Sequence, residues 1–207
     1  DTGLIVEVGE WVLRTACRQA AEWYRQGHPL KVAVNVSLRQ FQDPRLVERV
    51  GAILRESDMP KDWLCCDLEI TESLFMEDVP STEATLEELR GLGVGLALDD
   101  FGTGYSSLTH LHRFPVQTLK IDRSFVMGME EVPRYRDMIR AIVTMANALG
   151  LESVAEGVET PAAAAALAEM GCRTAQGFGF SPPVPAEEID RILSQGARLT
   201  VAEAGSA

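Results

Sequence analysis

The sequence predicts a parallel α/β fold. Six short apolar runs rich in β-branched residues alternate with helical patterns, and short connections join them. Nearly every run also ends on a polar residue able to ligate or catalyse, as expected where parallel strands open onto one functional face. Two architectures satisfy this pattern: an open doubly wound sheet and a closed barrel.

Leu4 to Gln26 carries Ile5, Val8, Trp11, Val12, Ala16, Ala20 and Trp23 at helical spacing, and Gly27 stops it. These seven residues are the expected inward face. Leu30 to Val36 is a short strand. Pro44 to Glu56 reads as a helix with Leu46, Val47, Val50, Ile53 and Leu54 on one side. Trp63 to Ile70 is the second strand, and Ser81 is the expected cap of a helix carrying Leu86, Leu89 and Leu92. Gly93 to Leu98 is the third strand, followed by a Gly-rich turn and a short helical piece with Leu108 and Leu111. Val116 to Ile121 is the fourth. Tyr135 to Leu149 reads as a helix with Met138, Ile139, Ile142, Val143, Ala146 and Leu149 inward, and Gly150 suits its C-terminal end. Glu152 to Ala155 is the fifth strand. Thr160-Pro161 is an N-cap with proline at the first helical position, opening an alanine-rich helix that runs to Gly171. Arg173 to Phe178 is the sixth strand, Pro185 to Gln195 the closing helix, and the tail from Ala197 is expected to fray.

Composition narrows the function. The 207 residues suffice for one domain with a sizeable core, and 46% hydrophobic with 24% charged residues is ordinary globular composition. Lys and Arg number 19 against 31 Asp and Glu, a net charge of −12, which argues against gripping duplex nucleic acid. An anionic substrate would need local positive charge, most simply a bound metal. No apolar run reaches the ~18–20 residues of a membrane span, and no secretory start is visible, so no membrane contact and a cytoplasmic location are expected. Cys17, Cys65, Cys66 and Cys172 have no zinc-ligand spacing and read as small buried side chains in a reducing compartment.

The strand ends carry the chemistry. They present Asn35, Glu69 with Glu72, Asp99-Asp100, Lys120 with Asp122, Glu156 with Glu159, and Gln176. A parallel fold would bring Asn35, Glu69, Asp99, Asp100, Glu156 and Gln176 to one face. Converging carboxylates would repel unless neutralised. Their oxygens suit Mg²⁺, Mn²⁺ or Ca²⁺, and the adjacent aspartates suit two ions. Any single acid could equally be a helix cap or a solvated loop residue. Lys120, inside the apolar run Thr118-Leu119-Lys120-Ile121, is expected to face those carboxylates. His110 and His112 read as a solvated helix face. Ser106 and Ser107 have no partner pattern for a serine nucleophile.

The ordered strings Asn35-Val36-Ser37, Glu69-Ile70-Thr71-Glu72, Asp99 to Leu108 (DDFGTGYSSL), Leu119-Lys120-Ile121-Asp122, Ala155 to Thr160 (AEGVET) and Gln176-Gly177 resemble the EAL-domain family. Its members are bacterial phosphodiesterases that hydrolyse cyclic diguanylate (c-di-GMP). The resemblance spans essentially the whole chain. It implies a TIM-type (β/α)8 barrel, of which six βα units are present here, with one irregular antiparallel strand. It implies Mg²⁺ or Mn²⁺, in a two-metal site, and linear pGpG as product. Asn35, Glu69, Asp99, Asp100 and Glu156 match metal ligands, and Glu156 also matches the acid assigned to general-base work. Lys120 matches a lysine near the attacking water, Glu72 the acid that braces the loop after Asp100, and Glu159 and Gln176 further ligand-side positions.

The family is named for a Glu-Ala-Leu motif whose Glu ligates metal, on a strand before the first helix, and that tripeptide is absent here. This strand and one before it would complete eight, so residues 1–207 are expected to be a single EAL domain, N-terminally incomplete, within a larger signalling protein. A chain beginning at Asp1 is then expected to hydrolyse weakly or not at all, with a distorted metal site. Pro182 replaces the basic residue many members carry there. The resemblance also implies a homodimer and a fused upstream sensor or GGDEF (diguanylate cyclase) domain. A catalytically silent c-di-GMP receptor is the alternative function, and a metal-dependent barrel lyase a third class.

Overall fold

The computed structural model describes residues 4–58, 66–72, 74, 79–102, 111 and 113–196. The strand start at Trp63, Cys65, the turn holding Ser106 and Ser107, Leu108, His110, His112 and the tail from Ala197 lie outside the described residues. Helices and strands alternate. They run α1 (Leu4–Arg25), β1 (Val32–Asn35), α2 (Leu38–Phe41), α3 (Leu46–Glu56), β2 (Cys66–Thr71), α4 (Val79–Gly91) and β3 (Gly95–Phe101). Then follow β4 (Thr118–Ile121), α5 (Arg123–Gly128), α6 (Pro133–Ala148), β5 (Glu152–Ala155), α7 (Pro161–Glu169), β6 (Thr174–Ala175) and α8 (Ala186–Ser194). The strands occupy one sheet in chain order. The pairs β1–β2, β4–β5 and β5–β6 are parallel, so each crossover needs its helix. This is the expected parallel α/β pattern of six βα units.

The chain forms two compact units. Residues 1–98 with 106–117 make the first, and 99–105 with 118–207 the second. In the first, Leu68 and Ile70 of β2, Leu96 and Leu98 of β3, and Leu86 and Leu89 of α4 are fully buried. Val50 and Ile53 of α3 join Leu13, Cys17 and Ala20 of α1 among its buried residues. Residue pairs Ala33–Asp67 and Asn35–Glu69 stand in register, which puts those four side chains on one face of β1–β2. In the second unit, Leu119 and Ile121 of β4 are buried, as are Ile139, Val143 and Ala146 of α6 and Leu167 of α7.

Four details differ from the sequence reading. First, α1 buries Leu13, Cys17, Ala20, Ala21 and Trp23, whereas Ile5, Val8, Val12 and Trp11 (64% exposed) face outward. The reason is steric. A Cβ at Gly9 would lie 1.9 Å from Gln40 Nε2, so α1 rests on α2 through Gly9 and turns Leu13 and Cys17 on the same side inward. The ion pair from Glu10 to Arg49 of α3 joins the two helices in that orientation. Second, Ser81 lies inside α4, two residues past its start and not at its N-cap position, and its carbonyl accepts from Thr85 Oγ1. Third, Leu149 is exposed just past the end of α6. Fourth, α2 and α5 went unread because each is a short segment whose start is set by a cap. Ser37 and Gln40 form a reciprocal capping box, and the Asp122 carboxylate accepts from Ser124 N. Thr160 caps α7 with Pro161 at its first turn, as the sequence implied.

Candidate active site

The second unit gathers the acidic strand ends. Strand β3 does not stop at Leu98 but runs through Asp99 and Asp100 to Phe101. In a regular strand, consecutive side chains point to opposite faces, so at most one aspartate could reach a common site. Asp100 takes φ +56°, a left-handed conformation that β-strand residues avoid, and Gly102 follows at φ +97°. The re-aimed backbone lets both aspartates act together. One carboxylate oxygen each from Asp99, Asp100 and Glu156 lies within 4.8 Å of the others.

Glu156 is placed by the sheet. It follows β5 directly, and its backbone N–H donates to Ile121 O of β4 at 3.1 Å. Gln176 follows β6 in the same way, its N–H donating to Ala155 O at 2.8 Å. The two side chains then meet, Gln176 Nε2 donating to Glu156 Oε1 at 2.7 Å. Lys120 sits on β4 at 4% exposure. Its Nζ lies 2.6 Å from Glu156 Oε1 and 3.0 Å from Asp99 Oδ1, the second a charge–charge contact without hydrogen-bond alignment. The lysine therefore faces carboxylates, as its place in an apolar run implied.

One ammonium against three carboxylates leaves surplus negative charge. Burial first, then the charges of Asp99 and Asp122, push the Asp100 carboxyl above its ordinary range, with Lys120 opposing. The donor set consists of hard anionic oxygens, so the residues present fit a divalent cation. Asp122 enters this electrostatic environment while capping α5.

The first unit holds the other expected residues. Asn35 and Glu69 stand side by side on β1 and β2, Asn35 exposed and Glu69 buried. Glu72 is buried, and neither carboxylate oxygen finds a hydrogen-bond partner among the described residues. Asp67, one strand position pair before Glu69, is turned to Lys31, with Oδ2 2.8 Å from Nζ.

A cavity of about 400 Å³ opens beside Glu156 and Gln176, lined also by Arg123, Met127, Glu159 and Phe178. Sequence reading selected Glu159 but missed Arg123, Met127 and Phe178. None carries a local signal, since Arg123 and Met127 become neighbours of Glu156 only through the α5 turn.

The EAL domain model matches residues 1–183. The bifunctional diguanylate cyclase/cyclic di-GMP phosphodiesterase MucR of Pseudomonas aeruginosa is 45% identical over 190 residues, covering 91% of this chain and 27% of that protein. The solved structure of the PaMucR phosphodiesterase in complex with c-di-GMP superimposes with a TM-score of 0.86 at 44% identity, covering 91% of this chain and 76% of that one. The EAL domain of Mycobacterium smegmatis DcpA gives 0.86 at 43% identity, covering 94% and 87%. Klebsiella pneumoniae BlrP1, solved as a manganese and cyclic-di-GMP complex, gives 0.75 at 28% identity, covering 86% and 45%. The chain spans about a quarter of the length of the curated relatives it matches. With its parallel βα fold, its cluster of strand-end carboxylates and a family model matched over most of its length, this chain belongs to the EAL domain family.

Proposed function

We propose that this chain is a metal-dependent phosphodiesterase that hydrolyses c-di-GMP to linear pGpG. The observation that carries the reading is the Asp99–Asp100–Glu156 carboxylate cluster with Lys120 between two of its members. Mg²⁺ or Mn²⁺ held by Asp99, Asp100 and Glu156 would supply Lewis-acid polarisation of the scissile phosphate and activate water there. Asn35 and Glu69 form a second pair of oxygen donors, and the same ligating role is proposed for them.

The chain's own residues manage the proton. The Lys120 ammonium lies 2.6 Å from Glu156 Oε1, and the Glu156 carboxylate is the group that accepts a proton from the attacking water. The water oxygen bonds to phosphorus, the bond from phosphorus to the ribose 3′-oxygen breaks, and that oxygen leaves with the proton that the Glu156 carboxylate took from the water. Gln176 fixes the Glu156 rotamer by its hydrogen bond, and Glu159 borders the ligand cavity. Glu72 is proposed to brace the turn after Asp100. The greater length of the relatives supports operation inside a multidomain signalling protein, with homodimerisation part of the same proposal.

The test is chromatography of c-di-GMP incubated with the protein and Mg²⁺ or Mn²⁺. Metal-dependent appearance of pGpG is expected. Binding without hydrolysis would replace the enzyme by a silent receptor, and no binding at all would overturn the reading.

A further inference from the structure

Cys17, Cys66 and Cys172 are buried free thiols. Cys172 sits against backbone oxygens, its Sγ 3.4 Å from Thr174 O and 3.6 Å from Ser153 O. Cys17 and Cys66 differ, because each has the other as a neighbour. Cys17 stands on the inward side of α1 at 0% exposure, and Cys66 opens β2 at 1%. Strand alternation puts Cys66 on one face with Leu68 and Ile70, opposite Asp67 and Glu69. Helix α1 packs on this strand, and the two thiols hydrogen-bond across the contact. That hydrogen bond holds the Cys17 thiol below its ordinary range, with burial opposing it. The thiolate is the nucleophilic form, so Cys17 is the primed member, and Cys66 already stands where a second sulfur is needed.

We propose that Cys17 and Cys66 are a peroxide-oxidisable pair that closes to a disulfide joining α1 to β2. Hydrogen peroxide is the oxidant. The Cys17 sulfur attacks one peroxide oxygen, the O–O bond breaks, and the departing hydroxide takes the thiol proton and leaves as water. Cys17 is then a sulfenic acid. The Cys66 sulfur bonds to the Cys17 sulfur, the S–O bond breaks, and the hydroxyl leaves as water with the Cys66 proton. In all, the two thiols lose two electrons and one peroxide becomes two waters. Burial selects the oxidant. Hydrogen peroxide is close to water in size, and a cavity of about 30 Å³, room for a water, lies at Leu13 and Val34, one turn of α1 before Cys17. A bulky disulfide such as oxidised glutathione has no such room. The bridge joins residues distant in sequence, so it restricts the unfolded chain and stabilises the fold. It forms on the face of β2 away from Glu69, outside the acidic site.

The experiment treats the reduced protein, freed of reductant, with hydrogen peroxide and in parallel with oxidised glutathione. Remaining thiols are alkylated and the digest is mapped by mass spectrometry. A linked Cys17–Cys66 peptide pair is expected with peroxide, reversed by dithiothreitol, and little of it with oxidised glutathione. The oxidised protein should melt roughly 5–10 °C above the reduced form. Cys66→Ala should abolish both the link and the gain, leaving Cys17 at the sulfenic or sulfinic stage. Cys65→Ser, beside the pair in sequence, should leave both unchanged. Several results would overturn the proposal: thiols that stay reduced in peroxide, a link through Cys65 or between two chains, or Cys17 oxidised in the unaltered protein without a link. So would oxidation by glutathione disulfide as fast as by peroxide, or an oxidised form that melts no higher than the reduced one. The mapping is done on the unaltered protein, so a variant that folds poorly leaves the test intact.

Discussion

Strands β1 and β4 are each four residues long, and their fates reverse what hydropathy suggests. β1 reads Val-Ala-Val-Asn with no charge, yet only Val34 is buried. β4 reads Thr-Leu-Lys-Ile and is buried at every position, lysine included. β1 stands at the end of the strand order, whereas β4 is interior to it. Neighbours thus decide burial, and a charge enters the interior when opposite charges meet it there. Lys120 has Asp99 and Glu156 within 3.0 Å, while Lys31, just before β1, pairs among the described residues with Asp67 alone and stays 43% exposed.

The sharpest way to break this contrast is to remove the β4 charge. Lys120→Met should leave two carboxylates facing each other without their counter-ion. Breaking a buried pair from one side costs about 3–5 kcal/mol in metal-free protein, and loss of a group serving proton transfer costs about 10²–10⁴-fold in rate. Calorimetry in chelator and initial-rate assays with metal check the two parts. Asp99→Asn comes next. It keeps the shape and deletes one anionic donor, so Mn²⁺ affinity, read by titration calorimetry, should fall at least about 10-fold and turnover should be lost at limiting metal.

β1 offers the smaller test. Val34→Ala should cost roughly 1–2 kcal/mol by denaturant titration, whereas Ala33→Ser, on the exposed side of the same strand, should cost less than about 0.5 kcal/mol. Equal costs would mean the strand is not one-sided. The smallest effect belongs to Glu10, whose carboxyl is held below its usual range by hydrogen bonds from Arg14 and then Arg49. A depressed carboxylate stabilises the fold above its unfolded-state value, and the benefit is lost as pH falls through the folded value. Glu10→Gln should therefore lower the melting temperature near pH 7, and the gap should close below the ordinary carboxylate range. A gap that persists there would assign the effect to packing.

Much of the site could be read directly from the chain. Each acid was selected because it ended an apolar run, and Lys120 because a lysine inside Thr-Leu-Lys-Ile requires partners. Other parts could not be read that way. Spacing alone would send Asp99 and Asp100 to opposite faces; only the φ +56° turn reconciles their adjacency with a shared cluster. Arg123, Met127 and Phe178 have no motif, because the cavity they line is made by α5 and the segment after β6. The face of α1 was misread because Trp11 and Ile5 outweigh Gly9 in hydropathy, although it is the glycine that allows close approach.

The amino-acid sequence by itself determined the alternation of strand and helix, the cap at Thr160, and the residue types at the strand ends. Each of these depends on contacts a few residues long. The tertiary structure alone decided which helix face is buried, which lysine is enclosed and how two adjacent aspartates come to act together. Those outcomes depend on what stands opposite each side chain, and the opposing groups lie tens of residues away.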